Sequence, residues 1–80
     1  MDFLELGHTL ALLRKDKGVS QAVMAKDLEI SRATISAFEN GKSGDIGVRK
    51  VLQIVDYLGY EMSFKTKSRF PTFEELRDAR

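Results

Sequence analysis

Apolar residues fall along one side of a helix from the first turn of the chain. Phe3, Leu6, Leu10 and Leu13 recur at spacings of three and four, the period of an amphipathic α-helix. Glu5, Thr9, Asp16 and Lys17 then turn outward. Gly18 is placed to stop this helix as a left-handed cap. Ser20 offers a side-chain oxygen to the free amides of a second helix, Gln21 to Leu28, whose stripe is Met24, Ala25 and Leu28. Glu29-Ile30 makes a short turn, and Ser31 caps a third helix from Arg32 to about Asn40. Ile35 and Phe38 face inward there, while Arg32, Thr34 and Ser36 do not. Asn40-Gly41 closes it with the residues most tolerant of positive φ.

After the polar loop Lys42-Ser43-Gly44-Asp45, a fourth helix carries Val48, Val51, Leu52, Val55 and Leu58 on one face and ends at Gly59. The period then drops to two. Tyr60, Met62 and Phe64 alternate with Glu61, Ser63 and Lys65, the pattern of a strand. A lone strand leaves backbone donors and acceptors without partners, and the sequence holds no second strand pattern. Pairing with the same strand of another copy, antiparallel about a two-fold axis, is the economical solution. This predicts a homodimer with Tyr60, Met62 and Phe64 at the dimerisation face; the alternative is an extended segment lying across its own helices. The expected fold is all-α, with four or five helices and a C-terminal strand pairing across the dimer.

Residues 66–80 change character. Lys67, Arg69, Arg77 and Arg80 surround Phe70-Pro71-Thr72-Phe73, and Thr72 with Glu75 has the spacing of a capping box. Two aromatics cannot build a core, so this tail is expected to be flexible or to dock on a partner through Phe70 and Phe73.

Length and composition narrow the function. Eighty residues make one domain, and a chain this short buries only about 60–65% of its unfolded surface, so dimerisation is a natural reinforcement. The chain has no cysteine, which removes disulfides and thiolate zinc sites. Its longest aliphatic run, Leu10 to Leu13, is far short of the roughly 20 residues that cross a bilayer. The start, Met1-Asp2-Phe3-Leu4-Glu5, lacks the basic-then-apolar order of a signal peptide. A cytoplasmic protein with no membrane partner is expected. Thirteen basic and 12 acidic residues leave a net charge of +1, so any argument for nucleic acid rests on where charges sit. His8 is the one histidine, on a helix with apolar neighbours, and reads as a surface or packing residue. Gly41 and Gly44 are isolated turn glycines rather than a phosphate loop. With no nucleophile–base pair and no ligand cluster, the sequence predicts no enzyme, no cofactor and no metal site.

What remains is two helices joined by a tight turn, the second with small polar residues on its outer face. That is the pattern of a helix-turn-helix. Ala25 is small where the two helices must approach, and Ile30 plugs the turn. Ala33, Thr34 and Ser36 are slender enough for the outer face to enter a major groove, and Arg32 is long enough to donate two hydrogen bonds to a guanine.

The run Ser20-Gln21-Ala22-x-x-Ala25-x-x-Leu28-x-Ile30-Ser31-x-x-Thr34-Ile35-Ser36-x-x-Glu39-Asn40-Gly41 resembles the lambda-repressor-like (XRE) helix-turn-helix family. Within it, Ala33-Thr34-Ile35-Ser36-x-Phe38-Glu39-Asn40 and Leu58-Gly59-Tyr60-Glu61-Met62-Ser63-Phe64 are most similar to HipB-type antitoxins. The resemblance spans about residues 6–65. It implies a DNA-binding and dimerisation domain over 1–65, with Ser20, Gln21, Ser31, Arg32, Ala33, Thr34, Ser36, Asn40 and Lys42 toward DNA. Gln21 would touch a phosphate and brace the recognition helix, and Arg32 and Ser36 would reach bases. Arg49 and Lys50, with Lys42, stand where the family meets the DNA backbone. Arg14 and Glu39 match a family ion pair and take a structural role. The resemblance further implies a bacterial repressor of its own operon, bound to a palindromic double-stranded operator and neutralising a HipA-like kinase-type toxin. A stand-alone repressor without a toxin, and an interaction protein whose main task is toxin inhibition, are the other functions the sequence allows. The glycine-containing loop after Gly41 and the aromatic-proline tail depart from the antitoxin pattern.

Overall fold

A computed structural model describes residues 1–42 and 45–67. Its four helices run Phe3–Asp16 (α1), Gln21–Leu28 (α2), Arg32–Glu39 (α3) and Val48–Tyr57 (α4). The first three begin on a side-chain oxygen that satisfies an otherwise free amide. Asp2 accepts from the Glu5 amide, Ser20 from Val23 and Ser31 from Thr34, at 2.8, 3.1 and 3.0 Å. α4 begins differently: Gly47 makes no side-chain cap bond.

All four helices end alike. The amides of Val19, Ile30, Lys42 and Tyr60 reach back to the carbonyls of Arg14, Ala25, Ala37 and Val55 at 3.2, 3.0, 2.8 and 3.0 Å. In each case the preceding residue is left-handed and closes the inner bond of a Schellman motif. Glycine holds that position after α1, α3 and α4; after α2 it is Glu29, at φ 57°. A side chain in this region is uncommon and costs about 1–2 kcal/mol. The turn between α2 and α3 is therefore made against local preference.

α3 lies across both α1 and α2. Phe38, Met24, Ile35, Ile54 and Leu58 are the largest fully buried side chains, and Leu10, Ala25, Ile30, Ile46, Val51 and Val55 complete the core. Phe3 stands edge-on to Phe38, ring centroids 5.3 Å apart. Gly7 is buried where α1 meets α3, and a Cβ there would run into the Phe38 carbonyl oxygen. The two backbones are packed without space for a methyl group.

α4 corrects the face read from the sequence. Val51, Val55 and Leu58 are buried as expected, but Val48 and Leu52 are 71% and 45% exposed, and Ile54 is buried in their stead. The apolar positions of this helix are too many for one face, so three-and-four spacing alone could not tell which pair the core would take. After Gly59, residues 60–67 hold no regular element within the single chain, where no neighbouring strand is available to form a ladder. The aromatic-proline tail, with Phe70, Phe73 and the Thr72–Glu75 spacing, lies outside the described residues, as do Ser43 and Gly44. No helix among the described residues is long and apolar enough to cross a membrane.

Candidate nucleic-acid interface

The outer face of α3 is open. Arg32 and Ala33 are exposed, Thr34 and Ser36 half-buried, and Asn40 and Lys42 exposed beyond the last turn. Ile35, Phe38 and Glu39 turn the other way into the protein. The small hydroxyls on this face are partly committed. Ser31 Oγ accepts from the Thr34 amide and lies 2.7 Å from Thr34 Oγ1, so the two hydroxyls share one hydrogen bond. Asn40 Nδ2 donates to Ser36 Oγ at 3.3 Å. Each hydroxyl keeps at least one further bond for an outside partner. Arg32 makes no side-chain hydrogen bond among the described residues, leaving its whole donor fork free.

Behind this face stands a buried ionic network. Arg14 of α1 meets Glu39 of α3 in a two-point contact, Nε to Oε2 at 2.7 Å and Nη2 to Oε1 at 2.9 Å. The two side chains are only 7% and 5% exposed. Arg14 Nη1 also donates to the Val19 carbonyl at 2.7 Å, and Gln21 Nε2 donates to Glu39 Oε1 at 2.9 Å. No buried side-chain polar atom among the described residues lacks a partner. Burial pushes the Glu39 carboxyl toward its neutral form, but hydrogen bonds from Arg14 and Gln21 and the Arg14 charge outweigh it and hold the pKa below the ordinary carboxylate value. The hydrogen bond to Glu39 raises Arg14 further, against its own burial. Both groups stay charged at neutral pH.

This network ties the start of α2 to the end of α3. Gln21, half-buried, is the first residue of α2 and shares Glu39 with Arg14. Ser20 beside it is exposed and caps the helix. Tyr57 donates to Asp27 at 2.6 Å and links α4 to α2.

The helix starts share a further feature. α1 carries an acidic residue, Glu5, in its first turn, whereas α2, α3 and α4 carry none. Acidic side chains ordinarily stabilise a helix start by about 0.3–1 kcal/mol. Their absence leaves the starts of α2 and α3 open to an outside anion, whereas at α4 the Asp45 carboxylate accepts from the Gly47 amide at 2.8 Å. The exposed cations Arg49 and Lys50 follow Val48 in the first turn of α4.

Sequence reasoning missed three contributors: Gly7, the Val19 carbonyl and the Tyr57–Asp27 bond. A glycine inside the apolar period of α1 was the one available signal, since glycine in a helix interior usually marks a close approach. Nothing in the sequence points to a backbone carbonyl as a ligand for an arginine.

The chain belongs to the Helix-turn-helix domain family, which matches residues 5–61. Among solved structures, it is similar to a HipB variant described as a complex with an O2 20mer, with a TM-score of 0.76 and 28% identity. That match covers 85% of this chain and 93% of the HipB chain. No curated protein matches the sequence.

Proposed function

We propose that the chain is a sequence-specific DNA-binding repressor that acts as a homodimer on a palindromic operator, and that it is the antitoxin of a kinase-type toxin whose operon it controls. The observation that carries the DNA reading is the open outer face of α3, with the Arg32 fork free, mounted on the Arg14–Glu39–Gln21 network. Arg32 is the base reader, able to span O6 and N7 of a guanine. The exposed Ala33 methyl suits a thymine methyl, and Ser36 can donate its hydroxyl to a base edge. Ser20, Gln21, Ser31, Thr34, Asn40 and Lys42 flank these readers and meet phosphates, together with the cations Arg49 and Lys50 in the first turn of α4.

Likeness to a HipB chain solved with an O2 20mer supports DNA as the ligand, and the antitoxin role rests on the resemblance of residues 33–40 and 58–64 to HipB-type antitoxins. The period-two segment Tyr60–Lys65 supports the dimer, with Tyr60, Met62 and Phe64 on one face. Two copies related by a two-fold axis would read half-sites roughly 34 Å apart, or a multiple of that.

The test is binding to a library of operator variants from the DNA upstream of the gene. Arg32→Ala should cost about 1–3 kcal/mol and relax the preference at one position in each half-site. Gln21→Ala should weaken all variants alike, because a phosphate contact carries no base information. Affinity should fall linearly on a log–log plot against salt as counterions are released. Arg32→Ala that weakens every variant equally would remove Arg32 as the reader. Co-purification of a kinase-like protein from native extract tests the antitoxin role, and its absence would favour a stand-alone repressor.

A further inference from the structure

Asn40 is the chain's single asparagine, and Gly41 follows it. It is the exposed cap at the end of α3, its side-chain amide donating to Ser36 Oγ at 3.3 Å. The fold demands glycine after it for two reasons. Gly41 stands at φ 70°, where a side chain is strained, and a Cβ there would run into Leu4 of α1. A glycine carries no Cβ to shield its nitrogen, so the asparagine before it has the side-chain carbon most open to attack by the next backbone nitrogen.

We propose that Asn40 modifies itself whenever the end of α3 opens, and that the acid so formed takes the free chain off DNA. Hydroxide removes the Gly41 amide proton, the nitrogen bonds to the Asn40 side-chain carbon, and Nδ2 leaves as ammonia. Water then opens the five-membered imide at either carbonyl, to aspartate or to isoaspartate. The sum is asparagine and water in, a carboxylic acid and ammonia out, with no oxidant, metal or enzyme required. The loss of DNA rests on the interface proposed above; the chemistry at Asn40 does not.

The closed helix end resists this step. Asn40 has ψ 1°, which sets the Gly41 nitrogen beside Asn40's own nitrogen and away from its β-carbon. Ring closure needs a turn about that bond. The turn breaks the Gly41 amide's bond to the Phe38 carbonyl, 3.2 Å, and the Lys42 amide's bond to the Ala37 carbonyl, 2.8 Å. Both lie at a helix terminus, where local opening costs least. The product then disfavours closing again. Its new carboxylate stands at the negative end of α3, whose last turn holds no basic residue. Isoaspartate also adds an atom to the main chain inside the closure. Where the proposed interface puts a phosphate, a carboxylate repels it.

Trypsin releases the peptide Ala33 to Lys42, in which Asn40 is the one side-chain amide, so mass spectrometry counts its conversion directly. The full chain is held in mildly alkaline buffer, folded and in guanidinium chloride. The folded chain should convert roughly 5- to 150-fold more slowly than the unfolded one, the weight of two backbone hydrogen bonds. Equal rates would overturn the gate at the end of α3. No acid in the folded chain after about a hundred half-lives of the unfolded one would overturn the site, since two such bonds cannot protect it that long. Asn40→Gln keeps an amide that closes only a slower six-membered ring, and acid formation there at the wild-type rate would overturn the ring mechanism. Anion exchange isolates the converted chain. That form and Asn40→Asp should each bind the DNA upstream of the gene about tenfold more weakly than the fresh chain, alike for every operator variant. Binding as tight as the fresh chain's would overturn the loss of DNA. A fresh chain that binds no upstream DNA would overturn the interface itself and leave the peptide result standing.

Discussion

Arg14 and Glu39 form a buried ion pair inside a domain with little stability to spare, and cutting it tests whether the network behind α3 holds the fold. The proposed perturbation is Arg14→Met and Glu39→Leu, singly and together. Each single change leaves one charge at a site where the side chains are only 7% and 5% exposed. Stranding a buried charge this way costs about 3–5 kcal/mol. A domain of this length has a total stability of about 4–12 kcal/mol at the usual 0.05–0.15 kcal/mol per residue. Either single variant should therefore lie near the edge of folding, with a melting temperature lower by on the order of 12–40 °C. The double variant removes both charges and keeps an apolar pair of similar volume. It releases the Val19 carbonyl and the Gln21 amide from their bonds, but both residues are half-buried and water can take those places. The double variant should thus be more stable than either single. Urea unfolding followed by circular dichroism gives the four free energies of the cycle. Singles that cost under about 1 kcal/mol, or a double equal to the sum of the singles, would refute the reasoning.

Three further outcomes follow from particular contacts. Glu39 is held below the ordinary carboxylate range when folded, so its stabilising share is complete above the unfolded value near 4.3 and is lost as pH falls through the lower folded value. Melting temperatures measured from neutral pH down to about pH 3 should drop for the wild type, and Glu39→Gln should flatten that slope. Gly7→Ala should destabilise by about 1–3 kcal/mol through its clash with the Phe38 carbonyl, although alanine gains about 1 kcal/mol in helix propensity. Unchanged or raised stability in denaturant would show that α1 and α3 have slack. Glu29→Gly relieves a left-handed side chain at φ 57° and should gain up to about 1 kcal/mol after the added backbone entropy of glycine. A loss of stability would mean that the Glu29 side chain makes a favourable contact outweighing the strain.

The helices were legible because their signals are local. Ser20 and Ser31 precede apolar runs and cap them, and Gly18, Gly41 and Gly59 stand where each helix closes. α2 starts and ends at the residues its pattern indicates. The buried side of α4 was not legible, because Val48, Val51, Leu52, Ile54, Val55 and Leu58 offer more apolar positions than one face can hold. Choosing among them requires knowing where Phe3, Leu6 and the returning chain lie, and those are long-range facts. Gly7 fails for a related reason. Its value depends on a carbonyl 31 residues away on another helix, and no pattern within α1 encodes that. Arg14 and Glu39 came into view through resemblance to a family; their separation of 25 residues has no period to betray it.

The same distinction bears on how the interface works. A base-reading helix gains specificity when its side chains are held before DNA arrives, since ordering them on binding costs about 0.5–1.5 kcal/mol apiece. On α3 the small hydroxyls are held already, Ser31 with Thr34 and Ser36 with Asn40. The long side chain, Arg32, is exposed and makes no side-chain hydrogen bond among the described residues. The helix itself is anchored at its far end by Glu39, buried against an arginine and a glutamine from two other helices. Gln21 therefore stands at a junction. On the proposed reading, a phosphate drawn to the start of α2 would pull on the side chain that also holds Glu39, so one carboxylate would set both α2's placement on the backbone and α3's depth in the groove. Shortening that carboxylate with Glu39→Asp keeps the charge but withdraws the oxygens by about one bond length. It should loosen operator discrimination more than it weakens non-specific binding, a ratio that competition titration measures directly. Equal loss of both would mean that the two helices find DNA independently.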